Sequence, residues 1–285
     1  MANSRQPINA GSLRPLRVAL PEGTVVSAIK PAAMRLWMTY PMTVVDAIFR
    51  ALADVVPGAA IAGHHADLGM THTYGVDEWT GRFFQFYGGP QGGGWGATSD
   101  ADGQNATMCI NDGDTHNSPV EVVEAKYPMV TITEYALRED SGGPGRFRGG
   151  LGTRLKIRMH TPAKMDTWIE RTACAPWGLA GGHDAAANQI WIERADGEQL
   201  RFTSGKVTGI ELAEGDSHVV ELGGGGGFGD PRRRPAREVL ADVTAGYVSV
   251  EAACDVYGVA VDTTSEGHFV LNELTTQRLR ADAHD

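Results

Sequence analysis

Three histidines and an aspartate fall within nine residues in Ala62-Gly63-His64-His65-Ala66-Asp67-Leu68-Gly69-Met70-Thr71-His72, the densest set of potential metal ligands in the chain. Imidazole nitrogens and a carboxylate are intermediate-to-hard donors that suit zinc, manganese or iron, and they can leave a coordination position open for water. The candidate ligands are therefore His64, His65, Asp67 and His72. The competing reading is a solvated loop whose histidines are incidental, and spacing alone secures no metal.

A second chemical candidate is the connector Asp140-Ser141-Gly142-Gly143-Pro144-Gly145-Arg146-Phe147-Arg148-Gly149-Gly150-Leu151-Gly152, which holds six glycines, one proline and two arginines. No helix or strand interior tolerates that density of glycine, so the segment must be an irregular loop. Arg146 and Arg148, with Asp140, then form either an anion or carboxylate clamp or a structural turn in which the guanidinium groups donate to backbone carbonyls. Cys109, Cys174 and Cys254 are far apart and lack CxxC spacing, which indicates neither a zinc knuckle nor a disulfide framework. Two further stretches fall short of nucleotide and calcium motifs. Gly223-Gly224-Gly225-Gly226-Gly227 is not followed by the Lys-Ser/Thr of a Walker A loop, and Asp100-Ala101-Asp102-Gly103 lacks the later ligands of an EF-hand.

The elements that must position these residues are mostly short strands. Thr43-Val44-Val45-Asp46 has the spacing of a helix start, and Val44, Val45, Ile48, Leu52, Val55 and Val56 recur at helical spacing up to Pro57-Gly58. That stripe is expected to dock on a sheet. Strands are expected at Leu16 to Leu20, Phe83 to Tyr87, Val130 to Thr133, Leu155 to Met159, Asp166 to Glu170, Gln189 to Glu193, Gln199 to Thr203 and His218 to Leu222. Ser118-Pro119 should start a short helix from Val120 to Ala125. Two more helices, Pro235 to Ala245 and Ser249 to Tyr257, should follow the basic run Arg232-Arg233-Arg234, a solvated or partner-facing spot. The fold class is α+β, a strand-rich mixed domain with glycine-rich loops and a short helical C-terminal segment. Residues 1–262 form its body and 263–285 a polar tail.

With 285 residues the chain can bury a sizeable core. Its formal charge of −10 argues against a nucleic-acid backbone or an anionic membrane surface as partner, because both need a basic face. No apolar run is long enough to span a bilayer, and the first residues lack the apolar core of a signal peptide, so a cytoplasmic location is expected.

Four blocks carry a resemblance: Asn9-Ala10-Gly11-Ser12-Leu13-Arg14-Pro15-Leu16, Asn117-Ser118-Pro119-Val120-Glu121-Val122-Val123-Glu124, the connector from Asp140 to Gly152, and Gly223 to Gly227 with Phe228-Gly229-Asp230-Pro231. In that order they resemble the hydantoinase B/oxoprolinase family. On this reading the chain covers only the family's C-terminal half, and the His-His-Ala-Asp segment, which is similar to one in the family's N-terminal half, stands out of order. The resemblance also places Asp112 to Pro119 in a loop facing the interior of an assembly, where His116 and Asn117 could orient a substrate or a partner's site; the other reading of these residues is a polar turn before the short helix from Val120. It implies ATP-dependent chemistry on cyclic amides or ketones in a multi-subunit complex, with ATP handled by a hydantoinase A-type subunit, a divalent metal in the complex, and a further chain supplying the N-terminal B half. The expected role is a half-length B-type subunit that is not active alone. Its complex would be a ketone carboxylase of the acetophenone carboxylase kind, with a hydantoinase or 5-oxoprolinase amidohydrolase, or a non-catalytic assembly subunit, as the alternatives.

Overall fold

The computed structural model describes residues 14, 17–33, 40–89, 91–108 and 118–281. Helix α1 (Tyr40–Leu52) comes first. The antiparallel pair β1 (Met70–Val76) and β2 (Phe83–Gly88) follows. After the short α2 (Val120–Lys126) come β3 (Val130–Leu137), β4 (Thr153–Met159), β5 (Ala163–Trp168), β6 (Gln189–Glu193), β7 (Gln199–Arg201), β8 (Ile210–Leu212) and β9 (Ser217–Glu221). A four-stranded sheet has the order β2-β1-β5-β8, and a five-stranded sheet the order β3-β4-β9-β6-β7. All their pairings are antiparallel.

Period-two alternation explains why these runs become strands. In β2, Phe84, Phe86 and Gly88 are buried while Phe83, Gln85 and Tyr87 face outward. The inward residues of both sheets share one apolar core: Phe84 and Phe86 of β2, Met165 of β5 and Leu212 of β8 join Ile157 and Met159 of β4, Ile192 of β6 and Val220 of β9. The architecture is thus a mixed α+β fold with two antiparallel sheets, and the short strands expected from Phe83 onward are present with small shifts of boundary.

Glycine segments cross beside this sandwich. Gly94 N–H donates to Gly223 O (3.0 Å), Gly225 N–H to Gly150 O (2.9 Å), Gly143 N–H to Gly225 O (2.8 Å) and Gly226 N–H to Gly63 O (2.6 Å). The backbones lie so close that a Cβ on Gly225 would collide with the carbonyl of Trp95. Gly223 to Gly227 therefore form a buried crossing.

The C-terminal part has its own small core. Helices α3 (Ala236–Thr244) and α4 (Val250–Asp255) pack Val239, Val243, Val248, Ala253 and Tyr257 together. Ser249 caps α4, its Oγ accepting from Ala252 N–H at 3.0 Å. The segment from 263 onward, expected to be a polar tail, instead completes the hairpin β10 (Val261–Thr263) and β11 (Phe269–Leu271) and forms helix α5 (Glu273–Ala281). Phe269 and Leu271 pack on the small core, and buried Thr276 Oγ1 accepts from Ala260 N–H, which holds α5 down. Periodicity fades here because the strands have three residues each.

Three other expectations change. Residues 17–20 are exposed irregular chain, not a strand; Leu16 lies outside the described residues. Helix α1 begins before Thr43, so Asp46 is an interior helical residue, and its apolar positions Ile48 and Leu52 are exposed while Met42 and Asp46 are buried. Pro119 occupies the N-cap of α2, and no side-chain cap is made there. Among the described residues no helix is long and apolar enough to cross a membrane.

Two expected outcomes follow from this packing. Gly225→Ala should cost about 3 kcal/mol or more in chemical denaturation, since backbone on the far side cannot retreat, whereas Gly58→Ala, which meets nothing within 4 Å, should be near neutral. His218 on β9 is fully buried between Ile157 and Ile192, with neither ring nitrogen hydrogen-bonded among the described residues, and burial lowers its pKa to about 4 from the usual 6.5. The folded state therefore resists a proton that the unfolded chain accepts, and stability present above 6.5 is lost as pH falls toward 4. His218→Leu should remove this loss, gaining about 2 kcal/mol more at pH 5 than at pH 8; an equal effect at both pH values would refute the assignment.

Candidate functional site

Asp46 projects from the middle of α1 into the protein and is 2% exposed. A buried carboxylate needs compensating donors, and it has three. Its Oδ2 accepts from Arg171 Nη2 and from Trp177 Nε1 at 3.0 Å, and its Oδ1 accepts from the His64 backbone N–H at 3.2 Å. Arg171 sits in the left-handed region at φ +51°, although it is not glycine. Such a conformation costs on the order of 1–3 kcal/mol and persists where surroundings over-determine it. Here the ion pair with Asp46 and the hydrogen bond from Asn188 N–H to Arg171 O (3.1 Å) do so.

This pair forms one wall of a cavity of about 470 Å³. Arg50 reaches in from the next turn of α1, its guanidinium 5.8 Å from the Trp177 ring centroid, and Lys206 pairs with Glu170 at 2.5 Å on the opposite side. Arg171 Nε is buried and makes no hydrogen bond among the described residues. The arrangement is a polar recess walled by a fixed guanidinium, a group suited to an amide or carboxylate oxygen. The free thiol of Cys174 stands at its rim.

The histidine cluster surrounds this wall but does not converge. His64 stacks on Trp95 at 5.7 Å between centroids, and its Nδ1 accepts from Ala66 N–H at 2.9 Å, which assigns the proton of the neutral ring to Nε2. Burial, reinforced by the charge of Arg171, lowers its pKa to about 4. His65 is fully buried, and burial followed by the neighbouring His64 lowers it to about 3. Asp67 is a cross-link: it accepts from Leu68 N–H (2.7 Å), Glu170 N–H (2.9 Å) and Asn188 Nδ2 (3.1 Å), while burial raises its pKa to about 6. His72 lies on β1, stacked on Tyr74 and Tyr87. The segment is thus buried and not a solvated loop. Among the described residues no three of His, Cys, Asp and Glu come together to hold a metal ion. His64 Nδ1 and both Asp67 oxygens are bonded inside the protein, while His64 Nε2 and both ring nitrogens of His65 are buried without a hydrogen-bond partner among the described residues.

The other sequence candidates separate as well. Asp140, at φ +56°, ties the connector to the C-terminal part, its Oδ1 accepting from Ser249 N–H at 2.9 Å. Arg148 is buried, with its Nε 3.4 Å from Asp242 Oδ1 and its Nη1 donating to Gly149 O at 2.6 Å. Asp242 also binds Arg234 (2.9 Å), which grips Asp102 with two hydrogen bonds of 2.7 Å. Burial opposes the Arg234 charge, but its bonds to Asp102 and the nearby Asp242 outweigh that and raise its pKa. So Arg234 is a buried structural residue and not part of a solvated basic spot. Arg146 is exposed and lines a separate cavity with Arg232, Arg233 and Arg280. His116 and Asn117 lie outside the described residues. The amides of Gly223, Gly225, Gly226 and Gly227 are all spent on internal acceptors, so this run does not fit a nucleotide's phosphates.

Sequence reading missed Asp46, Arg171 and Trp177. One signal was present: Met42, Asp46 and Ala53 fall on one helical face, a carboxylate among buried positions. Nothing local marks Arg171, which meets Asp46 across 125 residues.

A family model described as hydantoinase B/oxoprolinase matches residues 1–231. This corrects the expectation that the resemblance is confined to the family's C-terminal half, since the match begins at the first residue and takes in the bulk of the chain. A putative B-type subunit of a D-/L-hydantoinase from a Pseudomonas species is 28% identical over 264 residues, covering 91% of this chain and 43% of its own. The crystal structure of an ATP-dependent caprolactamase from Pseudomonas jessenii superposes with a TM-score of 0.82 at 30% identity, over 98% of this chain and 49% of its own. A nucleotide-free acetone carboxylase gives a TM-score of 0.76 at 21% identity, over 87% and 37%, a likeness of fold alone. The chain spans about half the length of the curated relatives it matches.

Breaking the central pair gives a clear readout. Asp46→Asn should destabilise the protein by about 3–5 kcal/mol, because it leaves the Arg171 charge buried without its partner. Trp177 loses a charged acceptor in the same variant, so its fluorescence emission should shift even under native conditions; an unchanged spectrum and midpoint would overturn the network.

Proposed function

This chain belongs to the hydantoinase B/oxoprolinase family, and we propose that it works as a B-type component of an ATP-dependent enzyme that hydrolyses a cyclic amide. The observation that carries the reading is the likeness to the ATP-dependent caprolactamase, which extends over 98% of this chain at 30% identity. The Pseudomonas hydantoinase component adds a second relative named for cyclic-amide hydrolysis. A ketone carboxylase, the first expectation from the sequence, has less support, because the acetone carboxylase structure is alike in fold at 21% identity.

In this reading a hydantoinase A-type subunit transfers the γ-phosphoryl group of ATP to the amide oxygen, in the cytoplasm where ATP is supplied. ADP leaves, water adds to the activated carbon, the ring C–N bond breaks with nitrogen departing as the amine, and a second water cleaves the resulting acyl phosphate to phosphate and the ring-opened carboxylate. Charge develops on oxygen in these steps, so catalysis needs fixed donors in a water-poor recess. Arg171, held by Asp46 in the cavity wall, supplies one such fixed cationic donor from this chain. Arg50 adds positive charge to the same cavity, where Lys206 is balanced by Glu170, which suits the carboxylate product. A polypeptide corresponding to the remaining length of the relatives completes the assembly.

The test is reconstitution with the A-type subunit and measurement of ATP-dependent phosphate release. Hydantoin, 5-oxoproline or caprolactam should stimulate release, and acetone with bicarbonate should not; the reverse pattern sinks the amidohydrolase reading. Arg171→Lys keeps the positive charge but not the guanidinium fork, and should lower kcat by about 10²-fold while the complex still assembles.

A further inference from the structure

A second cavity, of about 580 Å³, is walled by four arginines: Arg146 from the glycine connector, Arg232 and Arg233 from the turn after Asp230, and Arg280 from α5. The chain as a whole is acidic, with a formal charge of −10, so four guanidinium groups around one recess run against its overall balance. The buried or half-buried Arg148, Arg154, Arg171, Arg194 and Arg234, by contrast, each face a carboxylate. None of the four cavity arginines has a carboxylate within 4.0 Å among the described residues. The one acidic side chain in the lining, Asp230, uses its Oδ1 to accept from the Arg232 backbone N–H at 2.9 Å.

Two of the arginines are preset. Arg232 Nη1 donates to Leu279 O at 2.8 Å, and Arg280 Nη2 donates to Arg234 O at 2.7 Å and to Tyr257 O at 3.2 Å. Both flank Gly258, where a Cβ would come within 3.1 Å of Arg232 Nη1 and 3.2 Å of Arg280 Cγ. Fixing two like charges side by side costs energy that an anion would return. In agreement, the Arg280 pKa is lowered by burial and then by the Arg232 charge, with Asp230 offsetting only part. Arg146 and Arg233 make no side-chain hydrogen bond among the described residues and are exposed at the mouth, so their forks are available. Phe147 and Phe228, paired across a backbone bridge, supply an apolar wall beside them.

We propose that the cavity formed by Arg146, Arg232, Arg233 and Arg280 binds a phosphate group, either as free phosphate or as a phosphomonoester. A phosphate offers two charges and acceptor oxygens on every side, which matches several guanidinium forks converging from three segments. A monocarboxylate offers one charge and a single two-oxygen edge, and would leave most of the repulsion in place. The aromatic wall gives the organic part of a monoester a surface to pack on.

The experiment is calorimetric titration of the full chain at constant ionic strength with inorganic phosphate, AMP and acetate as probes. Phosphate or AMP should bind at least about tenfold more tightly than acetate, and the double variant Arg146→Ala/Arg233→Ala should weaken that binding at least about tenfold. Those two residues make no side-chain hydrogen bond or ion pair among the described residues, Arg146 only lying over the Phe147 ring at 5.4 Å, and Arg82→Ala, an exposed arginine outside the cavity lining, should leave affinity unchanged. AMP at least about tenfold tighter than phosphate assigns the site to a monoester, and equal affinities assign it to free phosphate. Affinity untouched by the double variant, or no binding by either phosphate probe up to about 10 mM, overturns the proposal.

Discussion

Close crossing of backbone on backbone is the constraint from which the rest of the structure follows. Peptide groups of the segments around Gly94, Gly150, Gly225 and Gly63 exchange hydrogen bonds in the interior, where each amide and carbonyl must find a partner because water cannot serve. Side chains have no room there: a Cβ on Gly94 would meet the carbonyl of Gly150 and the amide of Gly225. Four stretches far apart in sequence are thereby locked together. The register of that crossing fixes where the connector places Arg146 and Arg148, and it seats Trp177, whose carbonyl accepts from Gly63 N–H, beside Asp46.

Electrostatics extends the same tie. Asp102, Arg148, Arg234 and Asp242 come from the loop after the first glycine run, from the connector, from the turn before α3 and from α3 itself. Buried ion pairs of this kind add little net stability against an apolar replacement, but they strongly penalise any arrangement that separates the partners. Their effect is to specify how the C-terminal helices sit on the glycine crossing. The result is also a division of labour within one loop, since Arg148 is consumed by structure while Arg146, two residues earlier, stays free at the surface.

What the sequence revealed and concealed follows the range of the interactions. Strands such as Phe83 to Tyr87 and Leu155 to Met159 were legible because alternation is local and each buries one face on the shared core. The Ser249 cap was legible for the same reason. β1 was not, because its histidine and threonines look polar, yet Thr71 and Thr73 are buried and His72 is covered by aromatic rings. Helix α1 was found, but its orientation was misjudged: the bulky aliphatic residues were assigned to the core, whereas the buried face is built around a carboxylate. That inversion hid the candidate site, because Asp46 is explicable only by an arginine 125 residues away.

A buried carboxylate in the middle of a helix is costly unless something nearby repays the desolvation. Asp46 obtains part of that from Trp177 and the His64 amide, and part from Arg171, which must itself adopt a strained backbone to reach it. A purely structural link could have been made with an apolar pair at lower cost. The expense is understandable if what matters is the position of the guanidinium: Asp46 holds it rigidly at the cavity wall. The neutral rings of His64 and His65 behind it keep the surroundings poorly solvated without adding competing charge. In such an environment a fixed guanidinium acts more strongly on a neighbouring oxygen that carries charge than it would in water.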